Sequence, residues 1–277
     1  MTSFSFPGLV GRIERLDPFE SKFVIPRALD IWLPPQYDKN DQQRYAVLYM
    51  HDGQNLFDPS TSKYSHADWG MDETVTRLMT EAKIKPTIVV GMWSTEKRGL
   101  EYMPQKLPHT LAYHEMAFFM RRQEKGDLCS DSYLKFIVGE VKPYIDANFR
   151  TLADRQNTFV MGSSMGGLIS LYAICEYPEV FGGAGCVSTA FPVGRGIVLK
   201  YMKEHLPDPS DHKIYFDHGT KTLDRNYERY QKQADKIMSA KGFIPDESWI
   251  TRKFEGHIHS EIDWRKRVHI PLEFLLK

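Results

Sequence analysis

The residues best placed for chemistry lie in "TFVMGSSMGGLIS", Thr158 to Ser170, where an apolar run meets glycines and serines and then turns apolar again. Gly162, Ser163, Ser164, Met165 and Gly166 spell Gly-x-Ser-x-Gly, with Ser164 at the centre. A serine that ends a buried strand and opens a buried helix must sit at a strained backbone angle, and flanking glycines remove side chains that would clash there. Such a turn lifts the Ser164 hydroxyl out at the edge of a sheet, where it can serve as a nucleophile. The competing reading is a tight turn with no chemistry.

A serine hydroxyl is a weak nucleophile near neutral pH. It needs a histidine base, and the histidine needs an acid to fix its tautomer. On a strand-turn-helix elbow the order along the chain is serine, acid, histidine. Downstream of Ser164, "IYFDHGTKTLDRNY" offers Asp217 and Asp224, and "KFEGHIHSEIDW" offers His257 and His259. The His-x-His pair, with His51 and Asp52 on another strand end, also raises a metal hydrolase. No third ligand stands at a convincing spacing, so neither a metal nor a cofactor is expected.

These groups need strands to carry them. "RALDIWLPP", "YAVLYMHDG", "TIVVGMW", "NTFVMGS", "GGAGCVST", "HKIYFDHG" and "SWITRKFEG" read as strands. Between them, residues 132–149 have helical apolar spacing with Asp131 able to cap the start, and residues 226–241 form a second helix with Gly242 just past its end. A last helix is expected over 263–276, kinked or broken at Pro271. This alternation predicts an α/β fold with a mostly parallel sheet, helices on both faces and ligands at the carboxyl ends of the strands. Residues 94–128 show no sustained period and read as an insertion or lid-like segment over the site.

The chain has 277 residues, 42% of them hydrophobic, and no linker-like or repetitive tract, which favours one domain over residues 1–277. Lys plus Arg equals Asp plus Glu at 36 each, so no global positive field favours nucleic acid or an anionic membrane. Cys129, Cys175 and Cys186 suit free thiols better than a disulfide framework. The first residues lack a secretion signal and no stretch reads as a transmembrane helix, so a cytoplasmic location is expected.

From about residue 22 onward the chain resembles the esterase D/enterochelin esterase group of α/β-hydrolases, which includes feruloyl and acetyl-xylan esterases and the mycolyltransferases. The likeness rests on "RALDIWLPPQYD", "YAVLYMHDGQNLFD", "VMGSSMGGLISLYAICEYPEVFGG" and the Asp and His loops. It implies Ser164 as nucleophile and the amides of Met165 and Gln54 as oxyanion donors, with Gly53 letting the backbone approach substrate. It implies Asp224 as acid, although "GTKTLD" sets that residue further from Gly219 than many relatives do; Asp217 is the fallback. A Trp-Arg pair five residues after the base fits His259, with Trp264 and Arg265, and leaves His257 as a rim residue. His51 is then a support for the oxyanion loop.

The implied function is a serine carboxylic-ester hydrolase working through an acyl-enzyme on a small-molecule ester, of short acyl or feruloyl/acetyl sugar type. An acyltransferase or a non-catalytic binder on the same fold is the alternative. Trp93 and Tyr102, near strand ends, are candidates for lining the substrate pocket, with core packing as their ordinary use.

Overall fold

Six runs are buried over nearly their whole length: β3 (Arg27–Leu33), β4 (Ala46–His51), β5 (Thr87–Met92), β6 (Thr158–Ser163), β7 (Gly183–Val187) and β8 (Lys213–His218). Strands covered on both faces carry such continuous apolar runs. In the computed structural model, which describes residues 1–62 and 65–277, they are joined by β1 (Thr2–Phe4), β2 (Arg12–Phe19) and β9 (Trp249–Lys253) in the order β1-β2-β3-β5-β4-β6-β7-β8-β9. The first four strands in that order pair antiparallel, and β5 through β9 run parallel. This is the α/β-hydrolase fold. The seven strands read from sequence are all present; β1 and β2 escape that reading because β2, "RIERLDPF", is largely charged and lies near the edge.

Alternation along β4 builds two cores. Val47 and Tyr49 face one layer, while Ala46, Leu48 and Met50 face the other. The first layer is covered by α2 (Arg98–Tyr102), α3 (Leu111–Glu124), α4 (Ser130–Phe136), α5 (Lys142–Asn148), α6 (Met165–Glu176), α7 (Val198–His205) and α8 (Glu228–Ala240). The second is covered by α1 (Met71–Thr80), α9 (Glu261–Arg267) and α10 (His269–Leu275).

Four expectations change in detail. The helix over 132–149 is α4 and α5 joined through a π-helical stretch, Ile137–Val141. Asp131 does not cap it: the residue already lies in the first turn, its N–H donates to Gln105 Oε1 at 2.9 Å, and its carboxylate accepts from the Tyr172 hydroxyl. The C-terminal helix is broken at Val268, in the turn before Pro271, whose missing N–H leaves the Arg267 carbonyl without its i+4 donor. Residues 94–128 are not loop throughout but hold α2 and α3, the latter capped by Thr110 Oγ1. Its period is hard to see because only Tyr113 and Ala117 are buried, while Leu111, Phe118 and Phe119 face outward.

Candidate active site

Ser164 joins β6 to α6 at φ 58°, ψ −118°, a region L-residues occupy only when surroundings enforce it, at a cost of about 1–3 kcal/mol. The surroundings are the end of β7: Ser164 N–H donates to Val187 O at 2.9 Å, and Ala190 N–H donates to Ser164 O at 3.1 Å. The two flanking glycines are not equivalent. A Cβ on Gly162 would stand 2.9 Å from the Gly166 carbonyl carbon, whereas one on Gly166 would reach nothing nearer than 3.5 Å. Gly162 is therefore the position that closes the elbow sterically.

Asp224 lies in the 3-10 turn Thr222–Asn226 after β8 and is 1% exposed. Its Oδ1 is 2.6 Å from His259 Nδ1, and its Oδ2 accepts from Gly219 N at 2.6 Å and Ser188 Oγ at 2.8 Å. Burial pushes the Asp224 pKa up, but the bonds from His259, Gly219 and Ser188 outweigh it and hold the group below the usual carboxylate value. The Nδ1 contact fixes the tautomer that leaves Nε2 as the acceptor nitrogen. The imidazole is held edge-on against Trp264 (5.0 Å between centroids) and Tyr227 (5.7 Å), and its backbone N–H donates to Thr222 Oγ1 at 2.9 Å.

Asp217 is occupied elsewhere. It pairs with Arg267 through two 3.1 Å contacts and accepts from Tyr215 Oη at 2.9 Å and Ser188 N at 3.0 Å. Arg267 also donates to Ser188 Oγ at 2.9 Å and contacts His257 Nδ1 at 3.2 Å. Ser188 thus links the Asp217–Arg267 pair to the Asp224–His259 pair. Sequence reasoning missed both Ser188 and Arg267. His257 is a rim residue: its carbonyl accepts from Thr220 and Lys221, and a Cβ on Gly219 would fall 2.4 Å from that oxygen.

Ser164, His259 and Trp264 share a cleft of about 290 Å³ with Leu223, Asp52, Asn55, Arg98 and Glu261. Among the described residues, Ser164 Oγ and His259 make no direct hydrogen bond; the Ser164 hydroxyl instead meets that of Tyr227, whose pKa burial drives up, so it stays protonated. Arg98 clasps Asp52 through contacts of 2.6 and 2.7 Å, and this pairing outweighs burial in lowering the Asp52 pKa.

On the other side of the cleft, β4 ends in His51, and the next residue, Asp52, adopts φ 57° before the turn Gly53–Asn55. Gln54 is anchored through its side chain, with Nε2 donating to Ser94 Oγ at 2.8 Å and Oε1 accepting from Ser94 N at 3.0 Å. Its neighbours Asp52 and Asn55 line the cleft. A Cβ on Gly53 would lie 2.5 Å from the carbonyl carbon of Gly91, so the glycine lets this turn pack on β5. Beneath the turn, His51 Nδ1 contacts Tyr133 Oη at 2.9 Å, and burial lowers its pKa to about 3, keeping it neutral.

The two aromatic pocket candidates are corrected. Trp93 Nε1 donates to Asp30 Oδ2 at 2.8 Å and its ring lies under Arg15, among residues of the antiparallel strands outside the cleft. Tyr102 is fully buried, and its hydroxyl accepts from Asp52 N at 3.3 Å, so it supports the cleft from below. Among the described residues, the aromatic ring that lines the cleft is Trp264, itself stacked on Trp69.

Residues 25–266 match the family described as "Putative esterase". The chain belongs to this esterase family. It is 28% identical over 271 residues to an endo-1,4-beta-xylanase/feruloyl esterase of Xylanibacter ruminicola, covering 96% of this chain and 32% of that protein. It is 23% identical over 255 residues to the uncharacterized protein YbbA of Bacillus subtilis, covering 90% of this chain and 92% of that one. Among solved structures, the BES protein from Bacillus cereus superposes with a TM-score of 0.71 at 18% identity, covering 100% of this chain and 99% of that one. The chain thus spans about a third of its xylanase/feruloyl esterase relative and nearly all of YbbA. These likenesses agree with its membership of the esterase family and with its fold. Among the described residues, no helix is long and apolar enough to cross a membrane.

Proposed function

We propose that this chain hydrolyses small carboxylic esters through an acyl-enzyme on Ser164. His259 takes the Ser164 proton through Nε2 during attack and returns it to the leaving alcohol. Asp224 holds the imidazole tautomer and stabilises the imidazolium. Amides of Met165 and Gln54 receive the oxyanion. Met165 N–H belongs to the first turn of α6, where amides lack helical acceptors and the helix dipole favours negative charge. Deacylation repeats the sequence with water.

The observation that carries this reading is the 2.6 Å Asp224–His259 contact in the same cleft as a serine held at φ 58°. The cleft, about 290 Å³, lies at the small end of ligand sites, which run from roughly 300 to 1,000 Å³. That size supports a short acyl group or one aromatic acid, and the xylanase/feruloyl esterase relative supports an alcohol of sugar type. The mature reaction is expected to show a burst with p-nitrophenyl acetate and covalent capture of Ser164 by a fluorophosphonate. A folded protein whose Ser164 resists capture would end the proposal.

A further inference from the structure

Glu261 stands two residues after His259, opens α9 and lines the cleft while only 3% exposed. Its Oε1 accepts from Asn55 Nδ2 at 3.2 Å and its Oε2 from Ser65 Oγ at 2.7 Å. Both partners are neutral. Among the described residues no lysine, arginine or histidine nitrogen lies within 4.0 Å of this carboxylate, in contrast to Asp52, whose charge is matched by Arg98. Asp52 is paired with Arg98, so among the described residues lining the cleft Glu261 is the carboxylate with no cationic partner within 4.0 Å. The amino end of α9 and the two neutral donors make its burial tolerable without neutralising it. A carboxylate has about four acceptor positions, of which donors among the described residues use two, so capacity remains for hydroxyl donors of a ligand.

We infer that Glu261 sets the charge specificity of the cleft, admitting neutral, hydroxyl-bearing esters and rejecting esters that carry a carboxylate or phosphate near the reacting carbonyl. The inference rests on Ser164 catalysis in this cleft. Two unit charges about 6 Å apart at an effective dielectric near 20 repel strongly enough to alter a rate by about 10- to 100-fold.

The test uses the intact chain and two ester pairs, each normalised to its uncatalysed hydrolysis. On the acyl side, mono-p-nitrophenyl succinate is compared with p-nitrophenyl pentanoate. On the alcohol side, 4-carboxyphenyl acetate is compared with 4-acetylphenyl acetate. At least one pair is expected to show kcat/KM about 10- to 100-fold lower for the anion. Glu261→Gln should remove most of that gap, and Glu261→Asp, which keeps the charge, should retain it. A merely structural Glu261 would lower both members of a pair together and leave their ratio fixed. Equal rates for both pairs in the unaltered enzyme, or a ratio unmoved by Glu261→Gln, would overturn the inference. The first of these needs no variant to fold. Absence of any turnover together with no fluorophosphonate capture at Ser164 would instead bring down the esterase reading, and this inference with it.

Discussion

The two ends of the parallel sheet are built on different terms. At the amino ends of β6, β7 and β8 lies the larger hollow, about 630 Å³, lined by Phe159, Gly182, Lys213 and Lys85. There Lys85 donates to Asn157 Oδ1 and Lys213 to Phe274 O. At the carboxyl ends the hollow is less than half that volume, yet the residues directly following β4, β6 and β7, namely Asp52, Ser164 and Ser188, all have positive φ. Three buried carboxylates there, Asp52, Asp217 and Asp224, each meet an arginine or a histidine in a specific pair. Size therefore does not mark the site. Concentrated backbone strain and oriented charge do.

That contrast yields graded expectations. Ser164→Ala should lower kcat by about 10⁶-fold, the loss typical of removing a serine nucleophile, while leaving the thermal midpoint near its starting value. Asp224→Asn should follow at about 10⁴-fold in kcat, because the amide no longer enforces the imidazole tautomer. Asp217→Asn, only seven positions earlier, should do the reverse: it strands the buried Arg267 and lowers unfolding free energy by about 3–5 kcal/mol, read by denaturant titration, with kcat of the folded fraction nearly retained. A collapse of kcat in that variant would erase the distinction between the two aspartates.

His51 gives a pH-dependent signature. Its folded pKa, about 3, lies below the ordinary imidazole value of 6.5, so the unfolded chain binds the extra proton first as pH falls. Stability should decline below pH 6.5 toward pH 3 at up to about 1.4 kcal/mol per pH unit from this group. Asp224, also depressed when folded, adds stability above the ordinary carboxylate pKa that is lost as pH falls through its lowered value. His51→Gln should flatten the decline between pH 6.5 and 4.5, checked by urea midpoints across that range. At the amino rim, Lys213→Ala should shift stability by no more than about 0.5 kcal/mol and leave kcat/KM unchanged. A large activity loss there would make the two ends less different than described.

What sequence could reveal follows from how local each signal is. The elbow is legible because strand, glycines, serine and helix are contiguous, and six of the seven strands are legible because both sheet faces there are apolar. His259 is distinguished from His257 by its spacing to Trp264, a ring that stands 5.0 Å from the imidazole. Ser188, Arg267, Arg98 and Glu261 were not legible, since nothing near them in the chain announces what they meet across the sheet. Trp93 and Tyr102 were misread for a related reason: an aromatic residue near a strand end can face the cleft, support it from beneath or leave it altogether, and only the neighbouring strands decide.

The contact between Gly53 and Gly91 bears on how this scaffold can diversify. Two main chains lie flush there, so a side chain added at Gly53 must push its turn away from β5. A change in the shape of the cleft is therefore easier to accommodate at Leu223 or Arg98, which line it, than at the Gly53 turn.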